Sequence, residues 1–297
     1  MTTLVVGATG ELGGSVVRRL RERGATVRAL VRPSSESAEL ESLGVEVVRG
    51  DLLDPASLAL ACRDVHAVVC TATAIARLLA GGGGPSLPDV DDRGVGNLVA
   101  AAETAGVERF VYISYLGVDA GIGFPLERAK AANEDRLRRA RLHEVIVRPD
   151  AFQDVHLAPL GRFDVVGGKV EILGRGDSKR RWVACDDVAA LVTALVLEDD
   201  PPQLVEVGGP DALSKNEAAD LAQTIGGSGI KRRHMPRAAV RVVSRLLARR
   251  KPELATVFGL GLLMDLHEAS ADDAPLRERG IDPRPVAAHF ERQFGLQ

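Results

Sequence analysis

Three glycines at fixed spacing, in Gly7-Ala8-Thr9-Gly10-Glu11-Leu12-Gly13, are the residues of this chain best suited to holding a phosphate. They follow the apolar run Leu4-Val5-Val6 and lead into the helical pattern Ser15–Leu20. Gly7 permits a tight turn out of a strand. Gly10 lets backbone approach a pyrophosphate with no Cβ in the way, and Gly13 lets the helix pack closely on the sheet. Thr9, Glu11 and Leu12 complete a lining whose backbone N–H groups and positive helix end attract a diphosphate. A purely structural turn is the alternative, but the strand–turn–helix context favours a dinucleotide. Gly14 adds a fourth glycine, assigned to packing.

The second strand candidate ends Leu30-Val31-Arg32-Pro33-Ser34-Ser35. An NAD site would place Asp or Glu near Val31 to bond the ribose 2′-hydroxyl. That acid is absent, and Arg32 with Ser35 offers a clamp for a 2′-phosphate. NADP(H) is therefore the expected cofactor, with a surface-loop role as the competing reading of Arg32. Asp51 and Leu52, closing the third strand, suit the adenine amino group; Asp51 is otherwise a helix-leading acid. Thr71, Ala72 and Thr73 close the fourth strand with small residues, as backbone lying along a cofactor requires. Gly81–Gly84 reads as a flexible loop.

These residues need a frame, and the chain supplies one. Short β-branched runs at Thr3–Val6, Thr26–Val31, Glu46–Arg49, Ala67–Cys70, Arg109–Ile113 and Glu144–Val147 alternate with helical patterns. The helices are expected at Glu11–Arg23, Pro55–Cys62, Asp92–Ala105 and Leu126–Arg141. Such alternation predicts an α/β fold, a doubly wound Rossmann sheet of parallel strands with helices on both faces. Residues 1–150 form the expected cofactor domain, with 185–207 returning to the sheet. Residues 151–184 and 208–297 form a smaller substrate-binding part. There, Phe163–Leu173 reads as a hairpin, Asp186–Leu197 as a helix and Gln203–Val207 as a strand. Ser214 and Glu217 fit a capping box. Arg237–Arg249 is an amphipathic helix, read as a basic face over a core-packed stripe that includes Leu246.

Composition narrows the function. The chain has 297 residues, 45% apolar and 27% charged, with a net charge of −3 and only 3% aromatics. No basic field or stacking surface points to nucleic acid. The three cysteines lack regular spacing, which suits reduced thiols. No signal peptide or membrane span is read, so a soluble, cytoplasmic protein with no membrane partner is expected, as monomer or homodimer. The six histidines lack metal-ligand spacing, and neither a GxSxG elbow nor a Gly-Lys-Ser/Thr loop occurs.

The segments VVGATGELGG, ALVR, VVRGDLLDP, GVGNLVAAAETAGVERFVYIS, IVRPDAF, CDDVAALVTALV and VEVGGPDALS, with Lys130 alone on its helix, together resemble the NmrA-like branch of the atypical short-chain dehydrogenases/reductases. Their order matches that family over about residues 1 to 225. The resemblance implies NADP(H) on a Rossmann domain. Short-chain dehydrogenases carry Tyr-x-x-x-Lys on the helix after the fifth strand, and here Leu126 stands in place of the tyrosine, four residues before Lys130. By the resemblance Lys130 orients the nicotinamide ribose or passes a proton through water; a snorkelling surface lysine is the competing reading. Ser114, Pro149 and Phe152 join the cofactor lining. Tyr115, at the position after Ser114, is the candidate proton donor, or packs beneath a substrate loop. Phe152, Gln153, His156 and Trp182 are candidate substrate contacts, against structural roles for His156 and Trp182.

The expected function is therefore NADPH-dependent reduction of a small aromatic or apolar carbonyl, quinone or conjugated compound. The alternative from a different class is a redox sensor that binds NADP(H) without turnover. A sugar-nucleotide epimerase is a third reading, weakened by the missing tyrosine.

Overall fold

In a computed structural model, which describes residues 1–227 and 229–296, the chain begins β1 (Thr2–Val6), α1 (Glu11–Glu22), β2 (Thr26–Val31), α2 (Ala38–Ser42), β3 (Glu46–Arg49), α3 (Pro55–Ala61), β4 (Ala67–Cys70) and α4 (Ile75–Leu79). A π-helical turn, Pro88–Gly94, leads into α5 (Val95–Thr104), β5 (Arg109–Ile113), α6 (Pro125–Arg139) and β6 (His143–Pro149). Then follow α7 (Gln153–His156), β7 (Phe163–Asp164), β8 (Lys169–Leu173), β9 (Arg180–Arg181), α8 (Cys185–Leu197), β10 (Leu204–Val207), β11 (Ala212–Leu213) and α9 (Lys215–Gly226). The chain closes through β12 (Lys231–Met235), α10 (Arg237–Leu247), α11 (Pro252–Leu266), α12 (Ala274–Arg277) and α13 (Val286–Gln293).

Seven strands form one parallel sheet in the order β10-β6-β5-β4-β1-β2-β3. The order reverses between β1 and β4, whose carboxyl ends align, with Val6 opposite Cys70. In doubly wound sheets the loops beyond such a reversal bracket a ligand crevice. Both faces of the sheet are covered, so β4 is buried at every residue.

The chain divides into two compact units. The first comprises Met1–Ser114, Arg128–Val147 and Val188–Val205; the second comprises Tyr115–Glu127, Arg148–Asp187 and Glu206–Gln297. The first is built on a core that includes Leu4, Leu58, Leu98, Phe110, Tyr112 and Leu137. In the second, Leu157, Phe163, Trp182, Ala219, Val286 and Phe290 form a separate core. The second unit is slightly the shorter of the two. It gains Tyr115–Glu127 because this segment packs on α11: a Cβ on Gly259 would lie 2.4 Å from Phe124, and one on Gly117 would lie 3.3 Å from Leu263.

Three expectations change. The helix expected from Asp92 starts at Pro88 instead, because the π turn slips the 3.6-residue phase and carries Asp91 inward. The short helices α2 and α4 were not anticipated. The stripe of α10 is core-packed only in part: Val240 is buried and Val243 and Leu247 are half-buried, but Leu246 is 73% exposed, because the helix turns only one edge toward α11. The β7–β8 hairpin and the Ser214–Glu217 capping box form as read. No described helix is long and apolar enough to cross a membrane.

Candidate functional site

The glycine turn behaves as three separate constraints. Gly7 sits at φ +96°, and a Cβ there would meet the Thr71 hydroxyl at 2.5 Å and the Ala72 amide at 2.8 Å. A Cβ on Gly13 would lie 2.2 Å from the Gly7 carbonyl oxygen, so only glycine lets α1 approach the turn this closely. A Cβ on Gly10 would meet only the Gly7 carbonyl, at 3.3 Å. Protein packing thus demands glycine at 7 and 13, whereas at 10 the missing side chain leaves a cradle. Gly10 is also the N-cap of α1 and offers no side chain to its first N–H groups. A phosphate placed there would offer acceptors to the helix start. Thr9, Glu11 and Leu12 lie on this turn. The chain's residues fit a dinucleotide diphosphate.

At the neighbouring strand ends, Arg32 is exposed, and the loop behind it is held from β3. Arg49 donates to the carbonyls of Arg32 (3.1 Å) and Ser35 (2.6 Å) and to the Ser37 hydroxyl (2.5 Å). Arg49, at the end of β3 with no motif around it, carries no sequence signal of this role. Asp51 does not lead α3; Asp54 caps that helix, accepting from the Ala56 amide. One oxygen of Asp51 instead accepts from the Leu53 amide at 2.8 Å, and the Leu52 carbonyl takes Asn97 at 3.1 Å.

After β4, the Thr71 hydroxyl bonds the Val6 carbonyl at 3.2 Å, tying the two crevice loops together, with Ala72 following. The Thr73 hydroxyl accepts from the Ile75 amide at 3.3 Å. The loop over Gly81–Gly84 is not slack: Arg77 donates to the carbonyls of Gly82, Gly83 and Pro85.

Lys130 is not a surface lysine. It is 7% exposed, and its Nζ donates to the Ile113 carbonyl at 2.7 Å, standing 4.7 Å from the Tyr112 ring centroid. One bond leaves two ammonium N–H groups for a ligand. Burial pushes its pKa below the ordinary lysine value, opposed by the charges of Asp91, Cys70 and Glu134. Asp91, unremarked in the acidic run of its sequence, accepts from the Ala74 amide at 2.9 Å; burial raises its pKa, with Lys130 opposing. Asn133, one turn beyond Lys130, donates to the Asp91 carbonyl (2.6 Å) and the Tyr112 hydroxyl (3.0 Å). Beside Ile113, the buried Ser114 hydroxyl has no hydrogen-bond partner among the described residues, a group that a bound ligand would satisfy. The first unit therefore gathers the glycine turn, Arg32, Ser35, Asp51, Leu52, Thr71–Thr73, Ser114 and Lys130.

The other expected residues belong to the second unit. Tyr115 stacks on Phe124 with ring centroids 6.1 Å apart. Pro149 accepts from the Leu116 amide at 2.9 Å, and Phe152 bridges to Val183. Trp182 must be withdrawn as a substrate contact: it is wholly buried in the core, and its indole N–H donates to the Leu213 carbonyl at 2.7 Å. Asp186 and Asp187 lie in the first turn of α8, while Asp154 accepts the Cys185 amide at 2.6 Å and Asp187 takes the Arg284 amide at 2.8 Å. Sequence reading also missed the buried Asp150–Arg180 ion pair, in which Asp150 additionally accepts the Arg181 amide at 2.7 Å. Burial, together with the charges of Lys215 and Arg180, depresses His156 to about 3, so its imidazole is neutral near pH 7. Among the described residues, no group of His, Cys, Asp and Glu could hold a metal ion.

Comparison with known proteins bears on the family, the fold and the cofactor. The profile of a family described as NAD(P)H-binding matches residues 7–199. An NAD(P)H azoreductase of Xenophilus azovorans is 31% identical over 230 residues, spanning 77% of this chain and 75% of the relative. A photosystem II assembly factor of Synechocystis is 26% identical over 310 residues, spanning 99% and 91%. Among solved structures, an NADPH-dependent quinone oxidoreductase of Escherichia coli, complexed with NADPH, superposes with a TM-score of 0.77 at 20% identity, over 98% of this chain and 99% of that one.

Proposed function

Because this chain belongs to the NAD(P)H-binding family and resembles its NmrA-like atypical short-chain dehydrogenase/reductase branch, we propose that it is an NADPH-dependent reductase of small aromatic or apolar carbonyl, quinone or conjugated compounds. At the level of reaction class it is an NAD(P)H-dependent oxidoreductase. The observation that carries the reading is the buried Lys130 ammonium at the end of β5, next to the unpartnered Ser114 hydroxyl and in the same unit as the glycine turn.

Bound NADPH supplies the hydride; the protein supplies position and polarity. The Gly10 cradle and the first turn of α1 hold the diphosphate. Arg32 pairs with the 2′-phosphate, which is why the phosphorylated cofactor is favoured. Lys130, anchored on Ile113, directs its remaining N–H groups to the nicotinamide ribose, and Ser114 donates alongside. In the second unit, Phe152, Gln153 and His156 contact the substrate. Tyr115 delivers the proton, since the aliphatic Leu126 has none to give. His156, being neutral, serves as a hydrogen-bonding group rather than a charged acid.

The test is oxidation of NADPH by a panel of quinones, azo compounds and aryl ketones, followed by nicotinamide absorbance. Lys130→Ala is expected to lower kcat/KM about 100-fold, the scale of a misplaced reacting group. Tyr115→Phe is expected to depress kcat while leaving NADPH affinity in place. The competing reading, a cofactor-binding protein without turnover, is favoured by Leu126 and by the assembly-factor relative. It predicts tight NADPH binding and no oxidation by any compound in the panel.

A further inference from the structure

Three polar side chains of the second unit have no hydrogen-bonding or ion-pair partner among the described residues. Gln153 is fully buried, yet neither its Nε2 nor its Oε1 makes a hydrogen bond. One turn along α7, on the same side, His156 is half-buried, and its imidazole makes no hydrogen bond among the described residues. The α7 backbone is tied to the strand beyond β9, where the Gln153 amide donates to the Val183 carbonyl at 3.0 Å. The adjacent Trp182 indole holds Leu213, two residues before Lys215. Lys215 begins α9 behind the Ser214 cap; it too is half-buried, with no carboxylate within ion-pair distance among the described residues. The acid it feels, Asp265, is already committed to the amides of Arg175 and Gly176 (both 2.7 Å) and to Arg237 Nε (2.5 Å). The other nearby cation, Arg180, is locked to Asp150.

We propose that Lys215, Gln153 and His156 form a subsite for an anionic substituent, a sulfonate or carboxylate, on the aromatic substrate. This rests on the reductase reading, because the anion belongs to the molecule being reduced. An unpaired ammonium drawn out of water is costly, and a bound anion removes that cost. The donors also outnumber the acceptors: three N–H on Lys215, two on Gln153 and one on a neutral imidazole face acceptor oxygens well and a hydrocarbon poorly.

Titration follows from the surroundings. Burial lowers Lys215 from 10.5 to about 8, opposed by Asp265 on α11; His156 on α7 stays neutral, and Arg180 on β9 is compensated. Anion binding selects the ammonium. Affinity is therefore full below about pH 8 and falls as the pH rises through that value.

The experiment compares a naphthoquinone with its sulfonated analogue as substrates, and titrates a naphthalenesulfonate, which cannot accept hydride, by calorimetry. Lys215→Met is expected to shift the ratio of KM values for the two quinones about 10- to 100-fold against the sulfonated one, the scale of one charge-assisted hydrogen bond. It should weaken naphthalenesulfonate binding similarly and abolish its loss at alkaline pH. Lys215→Arg should keep the affinity and move that loss to higher pH, which a mere folding defect would not do. Unchanged ratios, or naphthalenesulfonate binding indifferent to both Lys215→Met and pH, would overturn the subsite. Failure of both quinones to oxidise NADPH would instead count against the reductase reading, and the calorimetric arm would still decide the subsite.

Discussion

A single methyl group separates the duties of the glycines that open the chain. At residue 13 it would sit 2.2 Å from the Gly7 carbonyl oxygen and 2.7 Å from both the Gly7 carbonyl carbon and the Thr71 hydroxyl, and the Gly7 backbone cannot yield as a side chain would. Gly13→Ala is therefore expected to cost about 1–3 kcal/mol of stability through overpacking, measurable as a lower urea midpoint. At residue 10 the same methyl would meet one atom at 3.3 Å, a contact that a small shift relieves. Gly10→Ala should leave the urea midpoint nearly in place and weaken NADPH binding, read by calorimetry. The opposite pattern, with stability lost at 10 and binding lost at 13, would show that the cradle has been assigned to the wrong glycine.

At the scale of elements, buried charges do the joining. The end of β6 and the strand β9 are linked by Asp150 and Arg180, both essentially buried, with Asp150 also holding the Arg181 amide. Removing one member of such a pair leaves its partner charged in a poor solvent. Asp150→Ala should lower stability by roughly 3–5 kcal/mol in urea unfolding, and Arg180→Leu added to it should recover part of that loss. Simple additivity of the two changes would exclude the pair as a coupled unit. In the first unit, the π turn before α5 plays a comparable part, delivering the Asp91 carboxylate to the Ala74 amide and holding the loop that follows β4.

For the whole molecule, a ligand that binds only the folded chain must raise its unfolding free energy. NADPH at a hundredfold excess over its Kd should add about 2.7 kcal/mol and raise the Tm accordingly. NADH at the same concentration should add less, and Arg32→Ala should bring the two cofactors level. Equal shifts from both cofactors with Arg32 intact would remove the 2′-phosphate assignment. Much of this architecture was legible in the sequence alone. The strands of the parallel sheet announce themselves as continuous apolar runs, and the glycine turn carries its geometry locally, because a missing Cβ acts on neighbours a few residues away. The alternation of strand and helix then leaves few ways to wind the sheet. What only the tertiary structure decided joins residues far apart in the chain: Asp91 with Ala74, Asp150 with Arg180, Arg49 with the Arg32 loop, the burial of Trp182 and the isolation of Lys215. No periodicity records such encounters. Whether a charge is compensated, and whether an apolar stripe such as that of α10 meets a core or water, depends on what packing brings beside it.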